Sequence, residues 1–411
     1  MKVLAFVEYF PPRLGSDRRI FEIMKRLATR NEVHFVVFPP FRELRDKSFL
    51  ARQNSETHSR DKEAGVCFEG IFGHAVQISP RVSLLWQHSL IVGYLATAIS
   101  VFLSSFAILR KIDPDVIVLN YPSPYTGLLG FLEGKLGRKK IVADFNDLIA
   151  QYSGVLLNLD RRSVIVKLLV QVQRLIVRNS DRTIAPTCFI ENYAVSMGVS
   201  EDKMSIIPNG VDTKLFDPNG LDPVTIRRGL HLGREKLCVY SGRLDGWAGM
   251  DILKKLCDTA RMEKLDVKFL FVGSGDSKNI DEDNVLYLGE MPHEKIPSIL
   301  AVADVVLIPC PRSEVSQAAS PLKLFEGMSM KKPIIASRVA GIQEVILEGE
   351  NGFLADPDSP DEWVEKLETL LNSEKLAAGM GENARRTVEE RYDWEILANR
   401  CEEVLNAVCL H

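Results

Sequence analysis

The chain has 411 residues, a hydrophobic fraction of 46%, a charged fraction of 26% and a formal net charge of −4. This length favours two domains over one, and the ordinary composition argues against long disordered tracts. The acidic balance, without a basic module interleaved with aromatic residues, disfavours nucleic-acid binding.

The first half of the sequence alternates apolar runs with helical periods. The runs KVLAFVE (2–8) and VHFVVFPP (33–40) flank RRIFEIMKRLATR (18–30), in which apolar residues recur every three or four positions. This pattern predicts a strand, a helix and a second strand, and Glu8 argues against a signal peptide. Further strands are predicted at 113–120, 139–145 and 181–187. Such alternation is typical of a parallel sheet covered by helices on both faces.

Two segments interrupt this alternation. Residues 40–65 are polar and highly charged, and they predict either a loop that orders on ligand binding or a solvent-exposed insertion. Residues 90–109 hold no charged side chain and reach the length of a membrane span, but small and polar residues dilute their hydrophobicity. We expect a helix of a folded domain there, at most pressed against lipid, rather than a transmembrane span.

The charge is distributed unevenly along the chain. Residues 1–200 contain 26 Lys and Arg against 18 Asp and Glu, a net +8, which leaves −12 for the remainder. A basic first half suits an anionic membrane surface, although a solvated surface without a partner explains it equally. Seven scattered cysteines without a C-x-x-C pair indicate a reducing compartment. We therefore expect a cytoplasmic protein, whose N-terminal part either has a solvated surface or makes peripheral contact with the cytoplasmic membrane face.

The same alternation restarts after about residue 235. Between the two halves, IIPNGVDTKLFDPNGLDP (206–223) is dense in turn-forming residues and predicts an interdomain linker at 208–222. The sequence thus predicts two Rossmann-like α/β domains in tandem, at 1–207 and 223–385, followed by a C-terminal helical segment at 386–411. Strands of the second domain are predicted at 237–242, 267–275, 284–290, 304–310, 332–337 and 352–356.

The run AASPLKLFEGMSMKKPIIAS (318–337) carries the first candidate site. Ser320 suits an N-cap, which predicts a helix that starts there and ends before Pro333. The free N–H groups at a helix start bind anions such as phosphate, and Lys323 adds a positive charge near them. Glu326 lies on the same helix face, where its oxygens could accept sugar or ribose hydroxyls. The alternative is an ordinary surface ion pair between Lys323 and Glu326.

Further candidates follow predicted strands, where open parallel sheets bind their ligands. Arg243 suits the oxygens of a diphosphate, or alternatively a structural ion pair. Asp144 and Asp147 could orient a sugar hydroxyl or transfer a proton, or cap the next helix. Gly15 and Ser16 precede the first helix, where glycine allows the backbone to approach a substrate closely.

Metal and dinucleotide chemistry find no support in the sequence. The D-x-D triplets at 113–115, 281–283 and 356–358 lie in turns or polar loops and are not placed to hold a metal against a diphosphate. The loop VGSGDSK (272–278) has Lys278 where a dinucleotide fingerprint needs its third glycine, so a turn explains it better. We expect no metal site and no cofactor.

Several stretches of the sequence also occur in a recognisable order. They are IPNGVDTKLFDP (207–218), YSGRL (240–244), FLFVGSGD (269–276), LGEMPHEKIPSILAVADVVLIP (288–309), SPLKLFEGMSMKKPIIAS (320–337) and GIQEVILEGENGFLADPDSPDEWVEKLETLL (341–371). Together they resemble the retaining glycosyltransferases of family 4, also described as glycosyl transferases group 1. The resemblance implies the GT-B architecture, in which two Rossmann-like domains face a cleft and a C-terminal helix packs back on the N-terminal domain. It also implies a nucleotide-sugar donor in the C-terminal domain, an acceptor in the N-terminal domain and no essential metal.

On the donor side, the resemblance implies that Arg243 binds the diphosphate and Glu326 the ribose. Met291 and Pro292 lie in the loop that flanks the base in this family. The expected donor-binding set is Arg243, Lys323, Glu326, Ser320, Leu322, Met291, Pro292 and Gly273.

The expected catalytic residues are Asp147, Gly15 and Ser16. By the resemblance, Gly15 and Ser16 belong to a glycine-rich loop near the diphosphate and the reaction centre. Asp147 matches the second residue of a His-Asp pair, and the first position of that pair is Asn146 in this chain.

Three positions depart from the family pattern. Ala318 replaces the first of two Glu spaced eight residues apart, Ala248 replaces a phosphate-binding Lys, and Asn146 replaces the His. Lys323 would supply the missing cation. We expect a glycosyltransferase that moves a sugar from a nucleoside diphosphate sugar to a glycan or lipid-linked acceptor. The alternatives are a GT-B sugar-nucleotide epimerase and a catalytically degenerate subunit that only binds nucleotide sugar.

Overall fold

The structure is a computed structural model that describes residues 1–7, 10, 15–38, 66–76, 90–120, 123, 125–148, 151, 163–244, 249–275 and 284–410. Contacts divide the chain into two compact units. The first unit comprises Met1–Pro186, Ile190–Ile207 and Ala398–His411, and the second comprises Thr187–Phe189 and Pro208–Leu397. The charged segment 40–65 and Ala248 lie outside the described residues.

The described strands of the first unit form one sheet. They are β1 (Lys2–Val7), β2 (Glu32–Val37), β3 (Val66–Phe68), β4 (Ile71–Ala75), β5 (Val116–Asn120), β6 (Lys140–Asp144), β7 (Arg182–Ala185) and β8 (Met204–Ile206). Their order is β3-β4-β2-β1-β5-β6-β7-β8, and β1 pairs in parallel with both β2 and β5. The central strands are apolar at consecutive positions because both faces of the sheet are covered. The predicted α/β fold class is confirmed.

The sequence pattern missed the hairpin of β3 and β4, which pair antiparallel and make the sheet mixed rather than wholly parallel. Glu69 and Gly70 connect the two strands, and both have positive φ, of 51° and 79°. A two-residue turn of this kind matches the twist of paired strands. Because β3 has three residues and directly follows the charged segment, its period-2 pattern is too short to recognise.

Helices cover the sheet of the first unit. They are α1 (Gly15–Leu27), α2 (Leu90–Ile112), α3 (Thr126–Leu136), α4 (Val164–Asn179) and α5 (Cys188–Ser196). Since β5, β6 and β7 are parallel neighbours, right-handed connections place α3 and α4 on the same face of the sheet. α2 contacts α3, and α3 contacts α4, so the three helices form one layer. The segment predicted at 90–109 is thus a domain helix that continues through Arg110 and Lys111.

Among the described residues, no helix has the length and apolar character needed to cross a bilayer.

A buried carboxyl group lies between two helices of this layer. Glu133 of α3 is fully buried and accepts a hydrogen bond from the hydroxyl of Ser105 on α2. Burial raises the pKa of Glu133 to about 8, although the Ser105 hydrogen bond opposes the shift. The carboxyl group is therefore mostly protonated and neutral at pH 7.

Glu133 should make the free energy of unfolding depend on pH. The pKa is about 8 in the folded chain against an ordinary value of 4.5, so the folded state binds more protons between these values. The contribution of Glu133 to the free energy of unfolding is fully present below pH 4.5. It falls by about 1.4 kcal/mol for each pH unit on the way to pH 8. We expect Glu133→Gln to remove this loss, so that the variant gains on the parent as the pH rises from 5 to 8. Urea unfolding at several pH values measures this gain, and a constant difference between the two proteins would contradict the assignment.

The second unit contains a six-stranded parallel sheet within the described residues. Its strands are β9 (Lys236–Ser241), β10 (Val267–Val272), β11 (Val285–Tyr287), β12 (Val305–Ile308), β13 (Ile334–Ser337) and β14 (Phe353–Ala355), in the order β11-β10-β9-β12-β13-β14. Alternate side chains of β9 enter two separate cores. Leu237 and Val239 pack into one, while Cys238 and Tyr240 pack into the other. All six strands were predicted.

The remaining helices follow in chain order. They are α6 (Pro223–Gly229), α7 (Met250–Met262), α8 (Ile296–Ala301), α9 (Glu314–Gln317), α10 (Leu322–Ser329), α11 (Ala340–Gln343), α12 (Pro360–Leu371), α13 (Glu374–Arg391) and α14 (Trp394–Leu410). α13 and α14 separate at Tyr392, whose carbonyl accepts a hydrogen bond from the N–H of Val211. The N–H of Trp394 in turn donates to the carbonyl of Val211. These two bonds replace the helical ones, which explains why the C-terminal segment is not one continuous helix.

Candidate functional site

The helix that carries Lys323 and Glu326 starts later than predicted. Pro321 occupies the N-cap position of α10 in an extended conformation, and no side chain caps the helix. The prediction of Ser320 as the N-cap is therefore wrong. Ser320 instead contributes its carbonyl oxygen, which accepts a hydrogen bond of 2.6 Å from the side-chain amide of Asn209. Leu322, the first helical residue, is partly exposed at this end.

A buried tyrosine connects the two cationic residues of the candidate site. The ammonium group of Lys323 donates a hydrogen bond of 3.0 Å to the hydroxyl of Tyr240 and lies 4.2 Å from the centre of its ring. The same hydroxyl donates a bond of 2.6 Å to the backbone carbonyl of Arg243. Tyr240 is fully buried at the end of β9, while the Arg243 side chain is exposed. Lys323 and the Arg243 loop are thereby held together through one hydroxyl group.

The loop before Arg243 depends on glycine. Gly242 has a φ of +148° and donates its N–H to the carbonyl of Val272, the last residue of β10. Gly273 has a φ of +142°, and a Cβ atom added to it would overlap the carbonyl oxygen of Gly242. The hydroxyl of Tyr287 donates to the Gly273 carbonyl at 2.7 Å. Gly273 therefore allows the loops after β9 and β10 to approach each other closely, next to the Arg243 loop.

Glu326 is held by a histidine and not by Lys323. Its Oε1 lies 2.8 Å from Nε2 of His293, and Glu326 is only 8% exposed. Phe216 contacts the histidine ring edge-to-face at a centroid distance of 5.2 Å. In the part of the chain that the structure describes, Nδ1 of His293 has no hydrogen-bond partner. The predicted alternative of an ion pair between Lys323 and Glu326 is wrong, because each residue has a different partner.

The loop before His293 holds the two residues expected near a base. Met291 is partly buried and packs against the core of the second unit, and Pro292 is exposed and precedes a short 3-10 helix. Together with Ser320, Leu322 and Gly273, they lie in the same unit as Arg243, Lys323 and Glu326.

The candidate residues of the first unit divide into two groups. Asp144 is buried and forms a bidentate ion pair with Arg19 of α1, with nitrogen to oxygen distances of 3.1 to 3.3 Å. It is therefore structural and not available to a sugar. Asp147 follows β6, accepts a hydrogen bond from the N–H of Leu148 and has a pKa that burial raises to about 6. Gly15 begins α1.

Ser16 also lies at the start of α1, but the side chains of residues 15 and 16 fall outside the described part of the structure. Asn146, which stands in place of the family histidine, donates to the side-chain carbonyl of Asn120 at 3.1 Å. Within the described residues, the other amide atoms of this pair, Nδ2 of Asn120 and Oδ1 of Asn146, have no partner although both are buried.

The structure describes Ala318, one of the departures from the family pattern. Ala318 is 3% exposed and follows α9, so this position offers no polar group. Residue 248 is not described. Among the described residues, no group of three or more His, Cys, Asp and Glu side chains is arranged to hold a metal ion.

Three residues of these sites were not predicted. Tyr240 and His293 lie within the YSGRL and EMPHEK stretches, and Asn120 ends β5. The signal that could have found Tyr240 is its position three residues before Arg243, on the same strand end. No sequence signal joins His293 to Glu326, because 33 residues separate them and only the packing of α10 beside the 291–295 loop brings them together.

Two family models match the chain. The model described as Glycosyltransferase Family 4 matches residues 15–215, and the model described as Glycosyl transferases group 1 matches residues 225–387. The two matches together span both units without overlapping.

Known proteins that are similar to this chain include glycosyltransferases. An uncharacterised glycosyltransferase of Methanocaldococcus jannaschii is 24% identical, over 96% of this chain and 95% of its own length. A lipopolysaccharide 1,2-N-acetylglucosaminetransferase of Salmonella typhimurium is 26% identical, over 55% of this chain and 62% of its own. The Anabaena protein HepE, in a crystal structure with UDP-glucose, superimposes with a TM-score of 0.73 at 18% identity, covering 99% of this chain and 100% of that one. Several other curated relatives match over about half of their length.

A mixed and a parallel α/β sheet, a helix start that carries Lys323 close to the Arg243 loop, and matches that run through both halves lead to the same assignment. The chain belongs to glycosyltransferase family 4, has the GT-B fold and is a glycosyltransferase.

Proposed function

We propose that the enzyme transfers a sugar from a nucleoside diphosphate sugar to a glycan or lipid-linked acceptor, with retention of the anomeric configuration and without a metal ion. The observation that carries the proposal is the linkage of Lys323 and the Arg243 loop through the Tyr240 hydroxyl. A lysine at a helix start, joined through one hydroxyl group to the loop that carries an arginine, suits a diphosphate, whose negative charge grows as the sugar leaves.

The leaving diphosphate would be stabilised by three elements of the second unit. Arg243 offers a planar fork of donors to two phosphate oxygens, and Lys323 acts as a point charge. The N–H groups of Leu322 and Lys323 precede the first hydrogen bond of α10, in which the N–H of Leu324 donates to the carbonyl of Pro321, and they point in the direction of the helix start. Lys323 would take the place of the family lysine whose position here is Ala248.

Glu326 would bind the ribose. With one oxygen held by His293, the carboxylate is fixed in orientation and its second oxygen remains for ribose hydroxyls. The loop with Met291 and Pro292 would contact the base. The complex of HepE with UDP-glucose supports a nucleotide sugar as the donor class.

In the first unit we propose that Asp147 accepts a hydrogen bond from a substrate hydroxyl. The backbone of Gly15 and Ser16 would lie next to the same substrate. Asn146 and Asn120 offer further amide atoms at adjacent strand ends. The Salmonella relative acts, by its name, on lipopolysaccharide, which supports a glycan or lipid-linked acceptor. We infer that the enzyme works at the cytoplasmic face of a membrane.

Asp147 should give the pH–rate profile an acidic limb, in which the rate falls toward low pH. Its raised pKa, about 6, means that the carboxylate is present above this pH and lost below it. We expect kcat/KM of the parent to fall as the pH drops through about 6. Asp147→Asn should lower kcat at pH 7.5 by about 100-fold and abolish this limb. Asp258→Asn, at an exposed aspartate of α7, serves as the control and should keep both the rate and the limb.

The proposed function is tested by calorimetric titration of the purified protein with UDP- and GDP-sugars, followed by turnover with glycan and polyprenyl acceptors. We expect one donor to bind and to be consumed only with acceptor. Arg243→Ala should weaken donor binding at least tenfold, while Arg261→Ala, at an exposed ion pair of α7, should not. Consumption without acceptor would instead indicate an epimerase, and binding without turnover a degenerate subunit.

Retention and metal independence have their own measurements. The anomeric proton of the product, observed by nuclear magnetic resonance, should show the configuration of the donor. EDTA should leave the rate within about twofold, since Arg243 and Lys323 supply the positive charge. An inverted product or a rate restored only by Mg²⁺ would overturn the corresponding part of the proposal.

A further inference from the structure

The helix layer formed by α2, α3 and α4 exposes large apolar side chains to solvent. Val164 is 81% exposed, Leu136 65%, Leu103 63% and Leu168 62%. Ile99, Leu132, Ile165 and Leu175 of the same helices are between 42% and 60% exposed. Because these helices lie side by side on one face of the sheet, the exposed residues form one surface, which we call the three-helix face. Apolar patches of this kind mark interaction sites.

The charge of the three-helix face has one sign. Its helices carry six basic residues, Arg110, Lys111, Lys135, Lys167, Arg174 and Arg178. Their one acidic residue is Glu133, which is buried beneath the face and hydrogen-bonded to Ser105. No negative side chain of the three helices therefore reaches solvent at the face.

This combination selects between possible occupants. Protein interfaces are depleted in lysine at their cores and enriched in aromatic residues, whereas the exposed apolar residues of this face are Ile, Leu and Val. Peripheral membrane surfaces combine exposed apolar residues with Lys and Arg, because the apolar groups enter the headgroup boundary while the cations meet anionic lipids. The long stems of Lys and Arg also allow their charges to remain at the headgroups as the apolar residues insert.

We propose that the three-helix face docks on an anionic lipid bilayer. Ile99, Leu103, Leu132, Leu136, Val164 and Leu168 enter the boundary between headgroups and acyl chains. The five exposed cations, Arg110, Lys111, Lys135, Lys167 and Arg178, contact lipid phosphates or carboxylates, while Arg174 is bonded to the carbonyl of Met197. The first unit is thus held at the membrane surface by a face that is separate from the donor-binding residues of the second unit.

The proposal is tested by vesicle sedimentation of the full chain, without donor or acceptor. Vesicles of equal parts phosphatidylcholine and phosphatidylglycerol should bind the protein, and vesicles of phosphatidylcholine alone should not. Binding should weaken as salt is raised from about 50 to 500 mM, because headgroup attraction is screened. Since no sugar is transferred in this assay, its outcome is independent of the proposed glycosyl transfer.

A matched pair of substitutions locates the docking surface. Val164→Glu changes the first residue of α4, and Val224→Glu changes the second residue of α6 in the other unit. Both valines are well exposed, at 81% and 65%, and a Glu near a helix start is compatible with folding. We expect Val164→Glu to lower vesicle binding at least tenfold and Val224→Glu to leave it unchanged. Lys167→Glu should lower binding about fivefold or more, and Lys375→Glu, at the start of α13, should not.

Four results would overturn the proposal. The parent fails to bind anionic vesicles, or it binds neutral vesicles equally well. The Val164→Glu variant binds vesicles like the parent while its circular dichroism shows that it is folded. Size exclusion shows that the parent is a dimer, which Val164→Glu dissociates. The last result would assign the three-helix face to a second copy of the chain. A Val164→Ser variant repeats the test in case Val164→Glu fails to fold.

Discussion

Lys323→Ala should lower the affinity for the nucleotide-sugar donor about 100-fold, the largest effect expected for a single residue of the donor site. The ammonium group of Lys323 lies at the start of α10, where the phosphate charge is expected. The position at which the family has a second cation is Ala248 in this chain. The substitution removes the charge but keeps the helix, because alanine has the highest helix propensity. Titration calorimetry with the donor identified for the parent measures the loss.

Tyr240→Phe separates the position of the cation from its charge. The variant keeps the buried ring, its edge-to-face contact with Phe271 and the proximity of the ring to Lys323, but it loses the hydroxyl that joins Lys323 to the Arg243 carbonyl. We expect donor affinity to fall about tenfold while the unfolding free energy changes by only about 1 kcal/mol.

Lys331→Ala is the control for both variants. Lys331 lies beyond the other end of α10 and pairs with Glu382 at the surface. Its removal should leave donor affinity within about twofold. If Lys323→Ala binds donor like Lys331→Ala, the assignment of Lys323 to the diphosphate is wrong, even if the enzyme is active.

Arg19→Met should lower the free energy of unfolding by about 3 to 5 kcal/mol. Arg19 and Asp144 expose 1% and 3% of their side chains, and Arg19 also donates to the carbonyl of Ile207 at 2.8 Å. Without Arg19 the carboxylate of Asp144 remains buried and unpaired, and this uncompensated charge is the main cost. Urea unfolding followed by circular dichroism measures the loss.

Two companion variants distinguish the charge from the packing. Arg19→Met combined with Asp144→Leu removes both charges and should recover most of the loss, since apolar residues of similar volume often replace a buried ion pair without penalty. Arg261→Met breaks an exposed pair with Asp258 and should cost less than about 1 kcal/mol. An Arg19→Met variant as stable as Arg261→Met would mean that water reaches Asp144.

All strands of the second sheet and five of the eight described strands of the first could be predicted, because local apolar runs between turn residues determine them. β12 and β13, for example, are short and almost wholly apolar, which is the pattern of strands buried on both faces. The same reasoning missed β3, β4 and β8, and β3 and β8 have only three residues each, too few to show a period.

The partners of the site residues were harder to predict than the residues themselves. Lys323 and Glu326 were recognised from their spacing on one helix, but Tyr240 and His293, which hold them, come from distant parts of the chain. Asp144 and Asp147 looked equivalent in sequence, and only the packing of Arg19 against β6 distinguishes the buried ion pair from the free-standing carboxyl group. Long-range hydrogen bonds of this kind follow from tertiary packing, which no local pattern contains.

The membership of α14 in the first unit has a consequence for folding during synthesis. Residues 398–410 belong to the unit that begins at Met1, and Glu402 of α14 bonds to Arg30 and Asn31 there. Ala398, Cys401 and Leu405 are buried. The ribosome makes this helix only after the entire second unit has been translated. The first unit, although its strands are synthesised before those of the second, must therefore wait with part of its core uncovered until α14 has left the exit tunnel.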